Sequence, residues 1–200
     1  MVKSKYYMNF YEFYKVISEM FDKKSVERAN QSYRKWIQTS VTRRVTKIID
    51  NSKKPLKILD YGSGTDAIHT QNFKNTYSNK NSKDYNKNLK FYAYDFGQNF
   101  NPLVHDKKAH DRKYDLIFAS NVLNVQSDSK MLDKTIKQIK SLLNENGIFI
   151  ANYPKKPRYS GLSDTQFLKI IKKHFKNIKI DDSYKQGILF SCKLDTIPNS

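Results

Sequence analysis

The chain has 200 residues, with 37 Lys and Arg against 19 Asp and Glu, a net charge of +18, and one cysteine. That length suits one domain with room for a real core, and the lone Cys192 excludes an internal disulfide, a CxxC pair and a Cys/His zinc site. No stretch is long and apolar enough to cross a bilayer, and Met1-Val2-Lys3-Ser4 lacks a signal-peptide pattern, so the expected setting is the cytoplasm, with no membrane and no metal.

Such a charge draws nucleic acid or other anionic surfaces over long range. The excess is mostly Lys, however: six residues are Arg, and Asn is abundant, a pairing that an AT-rich coding sequence gives without selection for binding. Four of those six, Arg28, Arg34, Arg43 and Arg44, fall within residues 1–50.

Phe10, Phe13, Ile17 and Phe21 recur at helical spacing. Ser25 then reads as an N-cap, and a longer amphipathic helix is expected through Val26, Tyr33, Ile37, Val41, Val45 and Ile48. Residues 1–50 are thus expected to form a helical appendage, and residues 51–200 a second unit built on a sheet. The arginine-bearing face has two readings: a solvated helix surface, or a contact surface for an anionic partner.

Residues 55–60 read as the first strand, and Ile58-Leu59-Asp60-Tyr61-Gly62-Ser63-Gly64-Thr65-Asp66-Ala67 is the most informative run in the chain. A strand, a Gly-rich turn and a helix make the nucleotide-binding corner of a parallel α/β sheet. Gly62, Gly64 and Ala67 also satisfy the dinucleotide fingerprint, so spacing alone decides nothing. Charge discriminates better, because Asp60 and Asp66 flank the turn and oppose a pyrophosphate while suiting a net cationic ligand. An ordinary strand-turn-helix with no ligand is the competing reading.

Residues 74–90 are rich in Lys and Asn, with Tyr77 and Tyr85 interleaved; a solvated loop is expected rather than a grip on single-stranded nucleic acid. Phe91-Tyr92-Ala93-Tyr94-Asp95 reads as the second strand, ending in an acid placed to accept from ribose hydroxyls or to form a turn. About 20 residues separate Asp95 from Asp115, short for a helix, a strand and two loops. The third strand is therefore expected to be minimal, near Leu103-Val104, or missing. His105, Asp106, His110 and Asp111 match no strong metal-ligand spacing and read as exposed loop residues.

Tyr114 to Asn121 reads as another strand, and Leu132, Ile136, Ile139 and Leu143 as a helix face capped by Ser127 or Asp128 and ended by Gly147. Ile148 to Asn152 is a further strand. Ser163-Asp164-Thr165-Gln166 is a capping box, and strands near 177–183 and 187–194 flank Lys185-Gln186-Gly187.

An acid, one residue, then Gly62-Ser63-Gly64 resembles the first motif of the class I S-adenosylmethionine-dependent methyltransferases, with Asp66 where a third glycine is expected. Element order over residues 55–194 is similar as well. The resemblance implies an α/β Rossmann-like methyltransferase sheet, mostly parallel with a C-terminal antiparallel hairpin. It also implies S-adenosylmethionine as cofactor, held by Asp60, Gly62, Ser63, Gly64 and Asp95, with Asn121 near its methionine part. Asn124 and Tyr153, after the next two strands, are the candidates for holding the acceptor, against a plain role in capping strand ends. Ser120-Asn121-Val122-Leu123-Asn124 lacks the Pro-Pro-aromatic run of amino-directed nucleic-acid methylases. It looks more like small-molecule methyltransferases, and like a bacterial and phage-type group tied to DNA modification. Cys192 reads as a buried structural thiol. The expected activity is methylation of nucleic acid, with Arg28, Arg34, Arg43 and Arg44 contacting it. The alternatives are a small-molecule or protein methyltransferase, and a non-catalytic cofactor-binding accessory protein.

Overall fold

The computed structural model describes residues 39–157 and 161–194. The expected helix around Phe10 to Phe21, the Ser25 cap, and Arg28 and Arg34 lie outside the described residues.

Helix α1 (Ser40–Asn51) starts at Thr39, whose hydroxyl accepts from the Thr42 amide while the Thr42 hydroxyl accepts from the Thr39 amide. This reciprocal cap puts a helix start inside the span that periodicity carries unbroken from Val26 to Ile48. Val41, Val45 and Ile49, four apart, form one buried face.

The sheet has six strands in the order β2-β1-β3-β4-β6-β5. Strands β1 (Leu56–Tyr61), β2 (Leu89–Tyr94), β3 (Tyr114–Ala119) and β4 (Leu143–Pro154) are parallel. Strands β5 (Asn177–Ile180) and β6 (Gly187–Lys193) form the expected antiparallel hairpin, with β6 paired to β4. Among the described residues no strand lies between β2 and β3; turns and two 3₁₀ segments, Gly97–Asn99 and Ala109–Asp111, fill the interval. Among the described residues β2 is thus an outer strand.

Helix α2 (Ile68–Phe73) runs into a π-helical turn, Lys74–Ser78. Helix α3 (Ser129–Leu142) is capped by Asp128, which accepts from the Met131 amide at 2.8 Å, and α4 (Asp164–His174) carries the Ser163–Gln166 capping box. Gly147 is not the stop of α3; it lies in β4, where a Cβ would stand 2.8 Å from the Asn144 carbonyl oxygen.

Alternation along the strands divides the core in two. Leu59, Ile117, Phe149 and Phe190 pack with Leu132, Ile136 and Ile139 of α3 and Phe167 and Ile171 of α4. Ile58, Leu116, Phe118 and Ile150 pack on the other face with Val41, Val45 and Ile49 of α1 and Phe73 of α2. Tyr77 belongs to this second core, with its hydroxyl donating to Asp50 at 2.9 Å, so it is not the loop aromatic that composition implies. Cys192 is buried, and burial pushes its thiol pKa up.

Candidate active site at the carboxyl edge of the sheet

The parallel strands end together, and the register sets what meets there. Asp60 of β1 pairs with Ala93 of β2 and Phe118 of β3, while Ala119 pairs with Ala151 of β4. The loops after β1, β2 and β3 therefore converge on one edge.

The turn after β1 leans on β2. The amides of Gly62 and Ser63 both donate to the Tyr94 carbonyl, at 2.8 and 3.1 Å. Gly62 and Gly64 each have φ +73°, in the left-handed region that glycine tolerates. Their surroundings differ sharply. A Cβ on Gly62 would stand 2.6 Å from Val122 Cγ2, whereas a Cβ on Gly64 would have nothing within 4 Å. Open space thus lies beside Gly64. Asp66, at the position of the missing third glycine, is exposed and has no positive φ; Ala67, at φ 45°, takes the left-handed conformation instead and heads α2.

Two acids are buried at this edge, each 1% exposed. Asp60 accepts from the Thr70 hydroxyl at 3.0 Å. Burial pushes its pKa up to about 8; the Thr70 bond opposes that rise and the charge of Asp95 adds to it. Asp95 Oδ2 accepts from the Gly64 amide at 2.6 Å, and its Oδ1 accepts from the Phe96 amide at 2.8 Å and from Asn99 Nδ2 at 3.5 Å. Burial lifts its pKa to about 6 against these three donors. The acid expected to meet a ribose is thus tied to the glycine turn itself.

The loop after β3 forms the next wall. Asn121, at φ 59°, donates its amide to Asn152 Oδ1 at 2.8 Å, and Asn152 Nδ2 returns a bond to Asn121 Oδ1 at 2.6 Å. This pair locks the ends of β3 and β4 together. Val122 fills the space against Gly62, and Asn124 is buried with no donor to its Oδ1. Tyr153 stands elsewhere. It is fully buried within β4, its ring stacked on Phe167 at 4.0 Å and its hydroxyl donating to the Leu162 carbonyl at 3.1 Å. It is a core residue and presents no free ring face to an acceptor.

Arg43 and Arg44 sit on α1, whose start is tied to this edge by the Ser120 hydroxyl donating to Thr39 Oγ1 at 3.2 Å. The arginines themselves line a groove of about 940 Å³ between α1 and the β5–β6 turn, with Lys47, Lys185 and Tyr184. Arg44 pairs with Asp181 at 2.6 Å, and Arg43, Lys47 and Lys185 are exposed. Asp181 follows β5, four strand spacings from β1, so the groove opens on the same edge but on the order of 19 Å to the side of the glycine turn.

Two contacts at the site carry no sequence signal. Thr70 on Asp60 needs the helix phase of α2 to be known. His105, six percent exposed rather than a free loop residue, reaches back to the turn: its Nε2 lies 3.0 Å from both Ser63 Oγ and the Gly64 carbonyl oxygen. His105, Asp106, His110 and Asp111 form no metal cluster, and none exists among the described residues.

The buried Asp95 carboxylate, the open glycine turn and the walled loop suit a cationic ligand held at the edge of a parallel sheet. A methyltransferase-domain family matches residues 33–186. The fold is similar to a S-adenosylmethionine-dependent methyltransferase from Clostridium acetobutylicum ATCC 824, at 17% identity and a TM-score of 0.55 over 94% of this chain and 100% of that one. It is also similar to a TehB-like S-adenosylmethionine-dependent methyltransferase from Corynebacterium glutamicum ATCC 13032, at 14% identity and a TM-score of 0.51 over 78% and 86% of the two chains. No curated protein matches the sequence. Because the family match spans more than three quarters of the chain, the chain belongs to the methyltransferase-domain family, as an enzyme that uses S-adenosylmethionine.

Proposed function

We propose that the enzyme methylates nucleic acid, with S-adenosylmethionine over the Gly62 to Gly64 turn and the polyanion in the groove beside α1. The observation carrying the acceptor class is that groove: three exposed cations, Arg43, Lys47 and Lys185, line it along α1, on the order of 19 Å to the side of the glycine turn.

The residues fit the cofactor. Gly64 borders open space, and Asp95, with its pKa lifted only to about 6, keeps its negative charge near pH 7 for a net cationic molecule, while the mostly protonated Asp60 beside it offers a polar wall. A carboxylate offers about four acceptor sites, and three donors occupy those of Asp95, so about one is left for a ribose hydroxyl. The cofactor supplies a methyl group on a sulfonium, passed by in-line displacement, for which the protein's task is alignment and exclusion of water. Val122 and Leu123 form a dry wall. The Asn121–Asn152 pair fixes that wall, and the unpartnered Asn124 Oδ1 is the acceptor atom that an incoming N–H would satisfy.

The test is transfer of labelled methyl groups from S-adenosylmethionine into RNA, DNA, protein and small-molecule fractions. Label in nucleic acid, with binding that weakens linearly in log salt, is expected. Label confined to small molecules, with no salt slope, selects the second reading. That reading draws on Ser120 to Asn124, which offers no aromatic ring for a flipped base.

A further inference from the structure

The cofactor turn lies beside the outer strand of the sheet. In a sheet that continues past β2, a neighbouring strand would back the turn, but here the described chain has only the loop of residues 96–112. One side chain of that loop does the backing. His105 Nδ1 accepts from the Asn101 amide at 2.7 Å, which leaves the ring proton on Nε2. Nε2 then donates toward the Gly64 carbonyl oxygen and Ser63 Oγ, both at 3.0 Å. Phe100 packs beside the imidazole at 5.5 Å between ring centres, and the ring is buried.

The result is a turn held from three directions. Tyr94 takes the amides of Gly62 and Ser63, Asp95 takes the amide of Gly64, and His105 takes the carbonyl of Gly64. The Asp95 and His105 contacts act on the two ends of one residue, which fixes the orientation of its flanking peptides. Those peptides border the open space beside Gly64. A flip of the Gly64–Thr65 peptide would turn the Gly64 carbonyl away from His105, and a flip of the Ser63–Gly64 peptide would release the Gly64 amide from Asp95.

We propose that His105 is a positioning residue for the cofactor turn: it holds the Ser63–Gly64 backbone in its ligand-accepting orientation, in place of a strand beyond β2. This rests on the placement of the cofactor at that turn. It touches neither the methyl group nor the acceptor, so its effect is on cofactor affinity through Gly64.

Three variants test it: His105→Ala, which removes both ring nitrogens; His105→Gln, whose Nε2 can donate where the imidazole Nε2 does; and His105→Asn, which stops short of Gly64. The readouts are calorimetric affinity for S-adenosylmethionine and the hydrogen-exchange rate of the Gly64 amide in the ligand-free protein. His105→Ala and His105→Asn should each weaken binding by about tenfold, the worth of one hydrogen bond. The same two should speed Gly64 exchange by a similar factor while core amides of β3 stay protected. His105→Gln should recover most of both. Unchanged affinity and exchange in His105→Ala overturn the proposal. So does a loss in all three variants that tracks a general fall in protection, which marks a packing role alone. Gly64→Ala separates the premise from the inference. If that variant binds normally, the cofactor is not at the turn; if it loses binding while His105→Ala does not, only the role of His105 fails.

Discussion

Gly62 and Gly64 share a backbone conformation and differ in what surrounds them, so one substitution at both sites separates folding from binding. Each has φ +73°, and placing an L-residue there costs about 1–2 kcal/mol. For Gly64→Ala that is the whole cost, because its Cβ would meet nothing within 4 Å. For Gly62→Ala the methyl would be driven to 2.6 Å from Val122 Cγ2, adding overpacking of about 1–3 kcal/mol and a total of about 2–5 kcal/mol. Urea unfolding should therefore rank Gly62→Ala as clearly the less stable. Calorimetric titration with S-adenosylmethionine should invert the order of interest. Gly64→Ala, though nearly intact, puts a methyl group in the open space and should lose about tenfold or more in affinity, since about 1.4 kcal/mol of crowding is enough for that. Equal destabilisation of the two variants, or native affinity in Gly64→Ala, refutes the reasoning.

Asp60 has its pKa raised by burial to about 8, so its contribution to stability is full below the unfolded carboxylate range near pH 4 and is lost as pH rises toward 8. Asp60→Asn removes that term: between pH 5 and pH 7 the stability of the native chain should fall relative to the variant by about 3 kcal/mol, at about 1.4 kcal/mol per pH unit, and parallel denaturation curves would contradict it. Asp95→Ala should cost about 1.5–3 kcal/mol of cofactor affinity, and also about 1–3 kcal/mol of stability, because the Gly64 and Phe96 amides lose their acceptor. Calorimetry and unfolding on the same samples read both, and a variant altered in stability alone removes the ribose role. Tyr153→Phe should lose about 1 kcal/mol with its bond to Leu162 and keep native turnover; a large fall in kcat at unchanged stability would return Tyr153 to the site.

The parts of the fold that could be read from sequence are those where two signals coincide. The Asp60 to Gly64 run joins an apolar strand to glycines at positive φ, and the final hairpin joins strand periodicity to Gly187. Tyr153 shows how a boundary misleads. β4 runs two residues past Asn152, and its parity then carries Phe149, Ala151 and Tyr153 onto the face packed by α4. Had the strand been extended, the same alternation would have placed Tyr153 inside. Tyr77 was hidden by its neighbours, since a Lys- and Asn-rich average conceals one apolar residue on a helical turn. The clamp by His105 had no signal at all. It depends on a loop without periodicity that brings residue 105 against residue 64, and only the three-dimensional path reveals that meeting.

Among the described residues β2 has no strand on its outer side, and such an edge is an invitation to self-association. β2 has its Ala93 carbonyl covered by the Asp106 amide at 2.9 Å, and it carries one exposed cation. That cation is Lys90; Arg112, over the Tyr92 ring at 5.4 Å, is paired with Asp106 at 3.1 Å. Like charges on two such rims repel when copies approach edge to edge. That defence is electrostatic and works over about 10 Å at 0.1 M salt, shrinking to about 3 Å at 1 M. Concentrated salt, often used to strip nucleic acid from a basic protein, therefore removes the barrier to strand-to-strand aggregation at the same time.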